Sequence, residues 1–70
     1  MTNAKKQRCY VGIDKEGTKR YYVNNALHRE NGPAVEYTNG NKEYWHNNIW
    51  YPKIKTNKEW KRFIKLMIFQ

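Results

Sequence analysis

GTKRYYVNNAL, residues 17–27, decides the fold, because GNKEYWHNNIW, residues 40–50, repeats it 23 positions later. The opening glycine, the lysine two positions on, the first tyrosine and the Asn-Asn pair are identical in the two copies. A repeat of this length is typical of a supersecondary unit that cannot bury its own apolar face and packs against a copy of itself. We therefore expect two such units in succession.

Length and composition limit the core. The chain has 70 residues, among them three Trp, six Tyr and two Phe. This length allows one small domain with a marginal core, so each large aromatic side chain matters. Cys9 is the only cysteine, which excludes an internal disulfide and indicates a reducing compartment such as the cytoplasm. No apolar run has the length of a signal peptide or a membrane span, and we expect no membrane partner.

Short strands and tight turns alternate between Cys9 and Tyr51. β-branched and aromatic residues predict strands at 9–13, 18–23, 26–29, 34–38, 41–46 and 49–51. The two Asn-Asn pairs predict tight turns, because asparagine tolerates the left-handed region. Asn39-Gly40 predicts a type I′ hairpin turn, and we expect Gly17 and Gly40 to need positive φ alike.

The C-terminal segment predicts an amphipathic helix from about Thr56 to Ile68. Thr56 and Glu59 have the spacing of a capping box. Residues at helical spacing form one apolar face, namely Trp60, Phe63, Ile64, Met67 and Ile68. We expect this face to cover the aromatic side of the sheet. A helix lying on an anionic membrane is the alternative, but it would leave the aromatic side chains of the sheet exposed.

The predicted fold class is therefore α+β, a small antiparallel β-meander of short hairpins covered on one face by a C-terminal amphipathic helix. Residues 1–8 are polar without periodicity and predict a disordered basic arm. Residues 9–70 form the single predicted domain. With so few aliphatic residues, we expect most of the aromatic residues at 21, 22, 44, 45 and 50 to lie in the core.

The net charge of +8 lies at the two ends of the chain, because five basic residues balance five acidic ones between Cys9 and Pro52. Localised charge is typical of a surface for a polyanion or an acidic partner, whereas the plainer interpretation is a solvated lysine-rich face. The candidate binding residues are Lys5, Lys6, Arg8, Lys53, Lys55, Lys58, Lys61, Arg62 and Lys65, with Phe69 among the helical charges.

Residues 27–45, LHRENGPAVEYTNGNKEYW, resemble the repeat of many small proteins of tailed bacteriophages and some bacteria, which is similar in period to the MORN repeat. The resemblance covers roughly residues 17–51, and it implies successive β-hairpins and no common catalytic residue. Asn25 and Asn48 depart from the family pattern, since they replace the glycine of its Asn-Gly turn. WYP at 50–52 replaces LHR at 27–29, which indicates that the array ends there with the helix as its cap.

Catalytic chemistry has little support in the sequence. His28 and His46 are the only histidines, and with one cysteine they cannot complete a structural zinc site. A Cys9–histidine nucleophile pair is an alternative, although a free cysteine more often behaves as a small apolar residue. No glycine-rich phosphate loop precedes a helix. We expect no enzyme, no cofactor and no metal.

The segment His28-Arg29-Glu30 is interpreted as a hydrogen-bonded corner. We expect Arg29 to bind a carboxylate with both arms of its guanidinium, and His28 to cap a loop carbonyl. The residues assigned to this structural motif are His28, Arg29, Glu30, Gly32, Pro33 and Gly40.

Two functions follow as expectations. The first is a non-catalytic phage-type accessory protein that binds, and inhibits, a nucleic acid or nucleoprotein of the host, RNA included, through the basic helix face; outward aromatic rings would stack bases. The alternative is a protein-interaction module that self-associates as a homodimer through its sheet and inhibits an acidic host protein without contacting nucleic acid. In either case we expect the host cytoplasm as the location.

Overall fold

The computed structural model describes residues 8–68, with Ile68 as backbone only, and has an α+β fold of antiparallel hairpins with one C-terminal helix. This confirms the predicted class. Lys5, Lys6 and Phe69 lie outside the described residues, as does the predicted arm apart from Arg8. The elements are β1 (Cys9–Ile13), β2 (Lys19–Val23), β3 (Ala26–Leu27), β4 (Val35–Glu36), β5 (Lys42–Glu43), β6 (Trp45–His46), β7 (Ile49–Trp50) and α1 (Asn57–Ile68).

Strand β2 is the centre of the larger sheet. It pairs with β1 along one edge, and its other edge is shared by β3 at one end and β4 at the other, all antiparallel. Strand β5 continues the sheet from β4, while β6 and β7 form a separate two-stranded hairpin. The chain thus returns to β2 twice, first as β3 and then as β4.

The two Asn-Asn turns have the backbone that the sequence predicts. The φ angles are 52° and 69° at Asn24 and Asn25, and 49° and 69° at Asn47 and Asn48. Two successive residues with positive φ are characteristic of a type I′ turn, whose twist matches that of the flanking strands. Asparagine therefore holds the left-handed conformation at all four positions without glycine.

The glycine turns also have positive φ, 89° at Gly17 and 94° at Gly40, but the predicted type I′ turn at Asn39-Gly40 is wrong. The Gly40 N–H donates to the Tyr37 carbonyl (3.0 Å), and Asn39 is not among the residues with positive φ. Gly40 is therefore the last residue of the turn rather than a central one. Gly17 donates to Asp14 in the same way (3.0 Å). Both are longer hairpin loops that close on a left-handed glycine.

Five strands differ from their predicted length: the strand predicted at 18–23 begins at Lys19, and the largest difference is at Tyr44. The predicted strand at 41–46 is interrupted there, because the Tyr44 ring is buried (1% exposed) against the helix. The strand predicted at 34–38 begins only at Val35, after Pro33, which has no N–H to donate to a ladder. The strands predicted at 26–29 and 49–51 are two residues each, β3 and β7.

The core lies where α1 meets the second copy of the repeat. Trp60 is fully buried, and its ring centroid lies 5.5 Å from that of Tyr44 and 5.7 Å from that of Tyr51. Ile64 completes the buried cluster, and Phe63 packs against its edge. The helix thus packs on the Tyr44 region and not over β1 and β2. Within residues 8–68, no helix has the length and apolar character needed to cross a membrane.

The prediction that most sheet aromatics are core residues is wrong. Of the five, Tyr44 alone is buried, while Tyr21, Tyr22 and Trp45 are half-buried and Trp50 is 48% exposed. The reason is the position of α1, which covers the end of the meander and leaves most of the sheet without a second layer.

Candidate functional site

The C-terminal basic residues are exposed without exception. Lys53 and Lys55 lie in the connection between β7 and α1, and the others lie on α1 itself. An exposed cation is available to a partner in a way that a buried one is not. The residues on α1 are Lys58, Lys61, Arg62 and Lys65.

The helix that carries them begins with the predicted capping box. The Glu59 N–H donates to Thr56 Oγ1 (3.1 Å), and Glu59 Oε1 accepts from the N–H groups of Lys55 (3.0 Å) and Thr56 (3.2 Å). These two backbone donors hold the pKa of the Glu59 carboxyl below its usual value. The one carboxylate of α1 is therefore directed at the helix N-terminus, and the basic side chains keep their charge unbalanced along the helix.

Ion pairs are confined to the β region of the described chain. Arg20 pairs with Asp14 at 3.0 Å, and Arg29 pairs with Glu36 at 3.1 Å. Among residues 8–68, by contrast, none of the six basic side chains after Pro52 has a hydrogen bond or ion pair to the rest of the chain. The fold uses Arg20 and Arg29 in ion pairs, and among the described residues it makes no such use of the C-terminal cations.

A shallow groove runs beside the basic residues of α1. It has a volume of about 340 Å³, and Lys58 and Arg62 line it together with Ile54, Phe63 and Leu66. Leu66 is 63% exposed. This exposure agrees with the absence of Leu66 from the predicted apolar face. The basic surface therefore has an apolar border, so a partner can add nonpolar contact to its charge contacts.

Arg8 is exposed and lies beside the first Asn-Asn turn. Its N–H donates to Asn24 Oδ1 (3.0 Å), and its carbonyl accepts from the Asn24 N–H (2.9 Å), which extends the β1–β2 ladder by one pair. No hydrogen bond or ion pair of the described residues links Arg8 to α1. Lys5 and Lys6 lie outside the described residues, so Arg8 is the one N-terminal cation that the structure describes.

Arg29 is engaged by the fold rather than available to a ligand. Its Nη1 donates to the Pro33 carbonyl (3.1 Å) and to Glu36 Oε2 (3.1 Å), and its guanidinium carbon lies 3.8 Å from the Tyr21 ring centroid. The predicted two-armed fork to a carboxylate is wrong, because one nitrogen serves both acceptors. The Arg29 carbonyl accepts from Trp60 Nε1 (2.6 Å), so this corner is fixed to the helix.

His28 also differs from its predicted role. Its Nδ1 accepts from the Asn47 N–H (3.1 Å) rather than capping a carbonyl, because a backbone amide and not a carbonyl faces the ring. In the neutral ring Nε2 then carries the proton and meets Glu30 Oε2 at 3.4 Å. His46 packs on His28 at 4.6 Å between ring centroids, and burial, with the neighbouring imidazole, lowers the pKa of His46.

Gly32, Pro33 and Gly40 complete the predicted structural motif. Gly32 and Pro33 are buried at the corner, whereas Gly40 is exposed in its turn. An added Cβ on Gly32 would lie 3.6 Å from the Arg29 guanidinium, an ordinary contact distance.

The surroundings of Cys9 and His28 bear on the alternative of a cysteine–histidine nucleophile pair. Exposed Cys9 lines a depression of about 470 Å³ with His28 and Glu30. The hydrogen bonds of His28 use its Nδ1 lone pair and direct its Nε2 proton to Glu30, so the neutral ring has no lone pair left to activate the Cys9 thiol. Within residues 8–68, no three His, Cys, Asp or Glu side chains group as metal ligands.

Trp50 is the candidate that sequence reasoning assigned to the core. It lines a depression of about 460 Å³ with Tyr37, Lys42 and Lys55, and it stacks on Trp45 at 6.3 Å with an interplanar angle of 18°. The available signal was its position in the repeat. Trp50 occupies the place of Leu27 at the end of the array, where no third copy follows to cover it.

The chain matches no protein-family model, and no curated protein or solved structure is significantly similar to it. The likeness to the phage repeat therefore stays a prediction based on residues 17–51.

Proposed function

We propose that this chain is a non-catalytic nucleic-acid-binding protein. The lysines and the arginine after Pro52 contact phosphates of a host nucleic acid or nucleoprotein, and in the phage setting that the resemblance implies, binding inhibits that target. The observation that carries the proposal is the contrast in pairing. Arg20 and Arg29 are used inside the fold, while the six exposed C-terminal cations have no partner within residues 8–68. Clustered unpaired cations favour a polyanion.

The two sides of α1 have separate tasks in this proposal. Trp60 and Ile64, both buried, hold the helix to the Tyr44 region. The exposed side, with Lys58, Arg62 and Lys65, meets the target. Helix position and target binding can therefore be changed independently by mutation.

The test is a binding titration at several salt concentrations with a fluorescent oligonucleotide. Replacing Arg62 and Lys65 by Gln should lower the slope of log K against log salt by about two phosphate equivalents, each worth roughly 0.7–0.9. Replacing both by Glu should weaken binding further, because two attractions become repulsions. Folding should stay nearly unchanged, since exposed charges contribute about 0–1 kcal/mol.

The matched control removes the same charge elsewhere. Lys15 and Lys19 are exposed in the electrically balanced part of the chain. Their replacement by Gln should leave the slope almost intact. If this variant and the Arg62/Lys65 variant lose affinity equally, binding depends on net charge alone and the helix is not the site.

A second function is favoured by the edge strand β1. Asp14 N–H donates to the Thr18 carbonyl (3.1 Å) and the Arg8 carbonyl accepts from Asn24, so even-numbered residues bond inward to β2. By the antiparallel alternation, Cys9, Val11 and Ile13 direct their backbone groups to the open edge. Such an edge pairs readily with another strand.

On this alternative, the protein self-associates through β1 and inhibits an acidic protein target. Association that persists in 0.5 M salt and is abolished by Val11→Glu in sedimentation experiments would favour it over nucleic-acid binding. A monomer under those conditions would exclude it.

A further inference from the structure

The depression around Trp50 shares Lys55 with the phosphate contacts proposed above, but its indole has no role in them. It lies beside the hairpin β6–β7 and is lined by one exposed indole and two exposed lysines, Lys42 and Lys55. Tyr37, Gly40, Asn41 and Glu43 form the rest of its wall. An exposed aromatic ring between cations is the arrangement with which proteins stack a base and hold its phosphates.

The Trp50 ring is held in place by its neighbours. Trp45 is its cross-strand partner and stacks on it at 6.3 Å, nearly parallel. Trp45 Nε1 donates to Glu43 Oε1 (3.0 Å), and the Tyr37 hydroxyl donates to Glu43 Oε2 (3.0 Å). Trp45 thus packs beside the Trp50 ring, and 48% of the Trp50 surface stays exposed. A pre-ordered ring loses little freedom when a ligand stacks on it.

The charges around the ring suit an anionic ligand. The only carboxylate in the wall is that of Glu43. Its Oε1 accepts a hydrogen bond from Trp45, and its Oε2 accepts one from Tyr37. Lys42 Nζ donates to the Gly40 carbonyl (3.3 Å), which is neutral and leaves the ammonium charge in place. Lys55 has no side-chain partner among the described residues.

We propose that this depression binds a base of a single-stranded nucleic acid, which stacks on the exposed face of Trp50 while adjacent phosphates contact Lys42 and Lys55. The inference rests on the proposed function and names its ligand as single-stranded. A duplex keeps its bases stacked inside the helix and cannot present a free π-face to Trp50.

The site also connects with the basic helix. Lys55 lies two residues before α1 begins at Asn57, and Lys58 follows within the first turn. A strand stacked at Trp50 therefore continues past Lys55 onto the exposed cations of α1. The ring fixes one nucleotide, and the helix contacts the phosphates that follow.

The experiment compares Trp50→Leu with Ile49→Ala, because Ile49 is the adjacent residue and is also exposed (55%). The probes are fluorescently labelled dT20, rU20 and a 20-base-pair duplex, measured by anisotropy. Trp50→Leu should weaken single-strand binding roughly 5- to 150-fold, the range for one base on an aromatic ring, and leave the duplex and the salt slope unchanged. Ile49→Ala should leave the affinity for all three probes unchanged. Lys42→Gln and Lys55→Gln should each lower the salt slope.

Each outcome decides a different point. If Trp50→Leu binds dT20 and rU20 like the wild type while the Arg62/Lys65 variant is impaired, the stacking site is excluded and the proposed function stands. Equal loss on single strand and duplex would mean that Trp50 acts through the fold, which also excludes the site. If the wild type binds none of the probes, both proposals are excluded. Circular dichroism melts of both variants show whether the fold is retained.

Discussion

The first unit, residues 9–31, and the second, residues 32–54, have the same hairpin registers 23 residues apart. Gly12↔Arg20 in the first corresponds to Val35↔Glu43 in the second. Tyr22↔Leu27 corresponds in the same way to Trp45↔Trp50. Their glycine and asparagine turns have matching φ angles as well. The turn residues therefore give the two copies the same local backbone conformation.

The units differ in what lies beside the central strand. In the first, the Tyr21 N–H donates to the Ala34 carbonyl (2.8 Å), a residue of the second unit. The position equivalent to Ala34 one unit later is Asn57, at the start of α1. There it is the Tyr44 hydroxyl that donates, to Asn57 Oδ1 (2.8 Å). A helix replaces the next strand, so Tyr44 is buried where Tyr21 is not.

A second difference concerns the pairing that opens each unit. The Asn24 N–H donates to the Arg8 carbonyl, whereas its counterpart Asn47 donates to His28 Nδ1. In the second unit Pro33 occupies the place of Tyr10 and cannot continue a ladder. The imidazole of His28 supplies the acceptor that the shortened strand does not. The comparison shows that turn residues determine the local backbone conformation, whereas the strand or helix that packs beside a unit determines which of its side chains are buried.

The largest expected effect is that of Trp60→Ala. Trp60 fills the core of the second unit, and its removal should cost about 3–5 kcal/mol. That is close to the whole stability expected of a small domain, so cooperative unfolding should be lost or Tm should fall by more than about 10 °C. Near-ultraviolet circular dichroism melts measure it. Phe63→Ala, at the edge of the cluster, should cost less. An unchanged Tm would mean that α1 does not support the second unit.

The two glycine turns have similar φ angles, but they differ in the space available to an added Cβ. Gly40→Ala should cost about 1–2 kcal/mol from the left-handed conformation alone, since nothing lies within 4 Å of the added Cβ. Gly17→Ala should cost roughly 1 kcal/mol or more beyond that, because its Cβ would lie 2.8 Å from Thr38 Cγ2. The two glycines thus share a positive φ, but we expect substitution to cost more at Gly17 than at Gly40.

Thr38→Ser removes the obstructing methyl group. A double-mutant cycle by urea unfolding should therefore recover most of the excess cost of Gly17→Ala. Absence of coupling would show that the clash does not distinguish the two turns.

The tyrosines that correspond in the two units provide the next comparison. Tyr44→Phe removes the hydroxyl hydrogen bond to Asn57 and should cost about 1 kcal/mol. Tyr21→Phe removes a bond of 3.4 Å to Glu36 at a half-buried site and should cost less. Both are measured from urea midpoints at constant m-value. A larger cost at Tyr21 would contradict the view that the helix makes the second unit the more demanding environment.

The sequence was sufficient for the two Asn-Asn turns, the capping box and the helix, because each depends on residues close along the chain, whereas the turn type at Asn39-Gly40 was predicted wrongly. The positive φ angles of Asn24 and Asn47 and the capping of α1 by Thr56 are local properties of the chain. The sequence did not indicate how far the repeat extends or which aromatic residues of the sheet form the core. CYVGI at 9–13 and GPAVE at 32–36 have no identical residue at corresponding positions, although they occupy equivalent places. The position of α1 depends on the Arg29–Trp60 and Tyr44–Asn57 hydrogen bonds, which no local pattern indicates.

The candidate site divides in the same way. The exposure of the four cations on α1 follows from their helical spacing, while Lys53 and Lys55 lie in the connection before it. Composition and periodicity were enough to find all six. The exposure of Trp50 follows from the end of the array and from a helix that packs elsewhere, which is tertiary information. Residues that bind by charge were thus accessible to sequence reasoning, and a residue proposed to bind by its ring was not.

The smallest expected effect concerns pH. His46 occupies the place of Val23, so the second unit alone carries an imidazole at this position. Burial, then the nearby His28, lowers the pKa of His46, while Glu30 acts in the opposite direction. Below the usual value of 6.5 the unfolded chain binds a proton at His46 that the folded chain still excludes. The contribution of His46 to stability is therefore present above pH 6.5 and is lost as the pH falls through its lowered pKa.

Melts at pH 7.5 and 5.5 test this, since the carboxyls with lowered pKa, Asp14 and Glu59, affect stability only at more acidic pH. The wild type should lose more of its Tm between the two pH values than His46→Val, which reproduces the residue of the first unit. His28 remains in both proteins, so the difference isolates His46. Equal losses would mean that His46 titrates as it does in the unfolded chain, and that its packing on His28 does not exclude the proton.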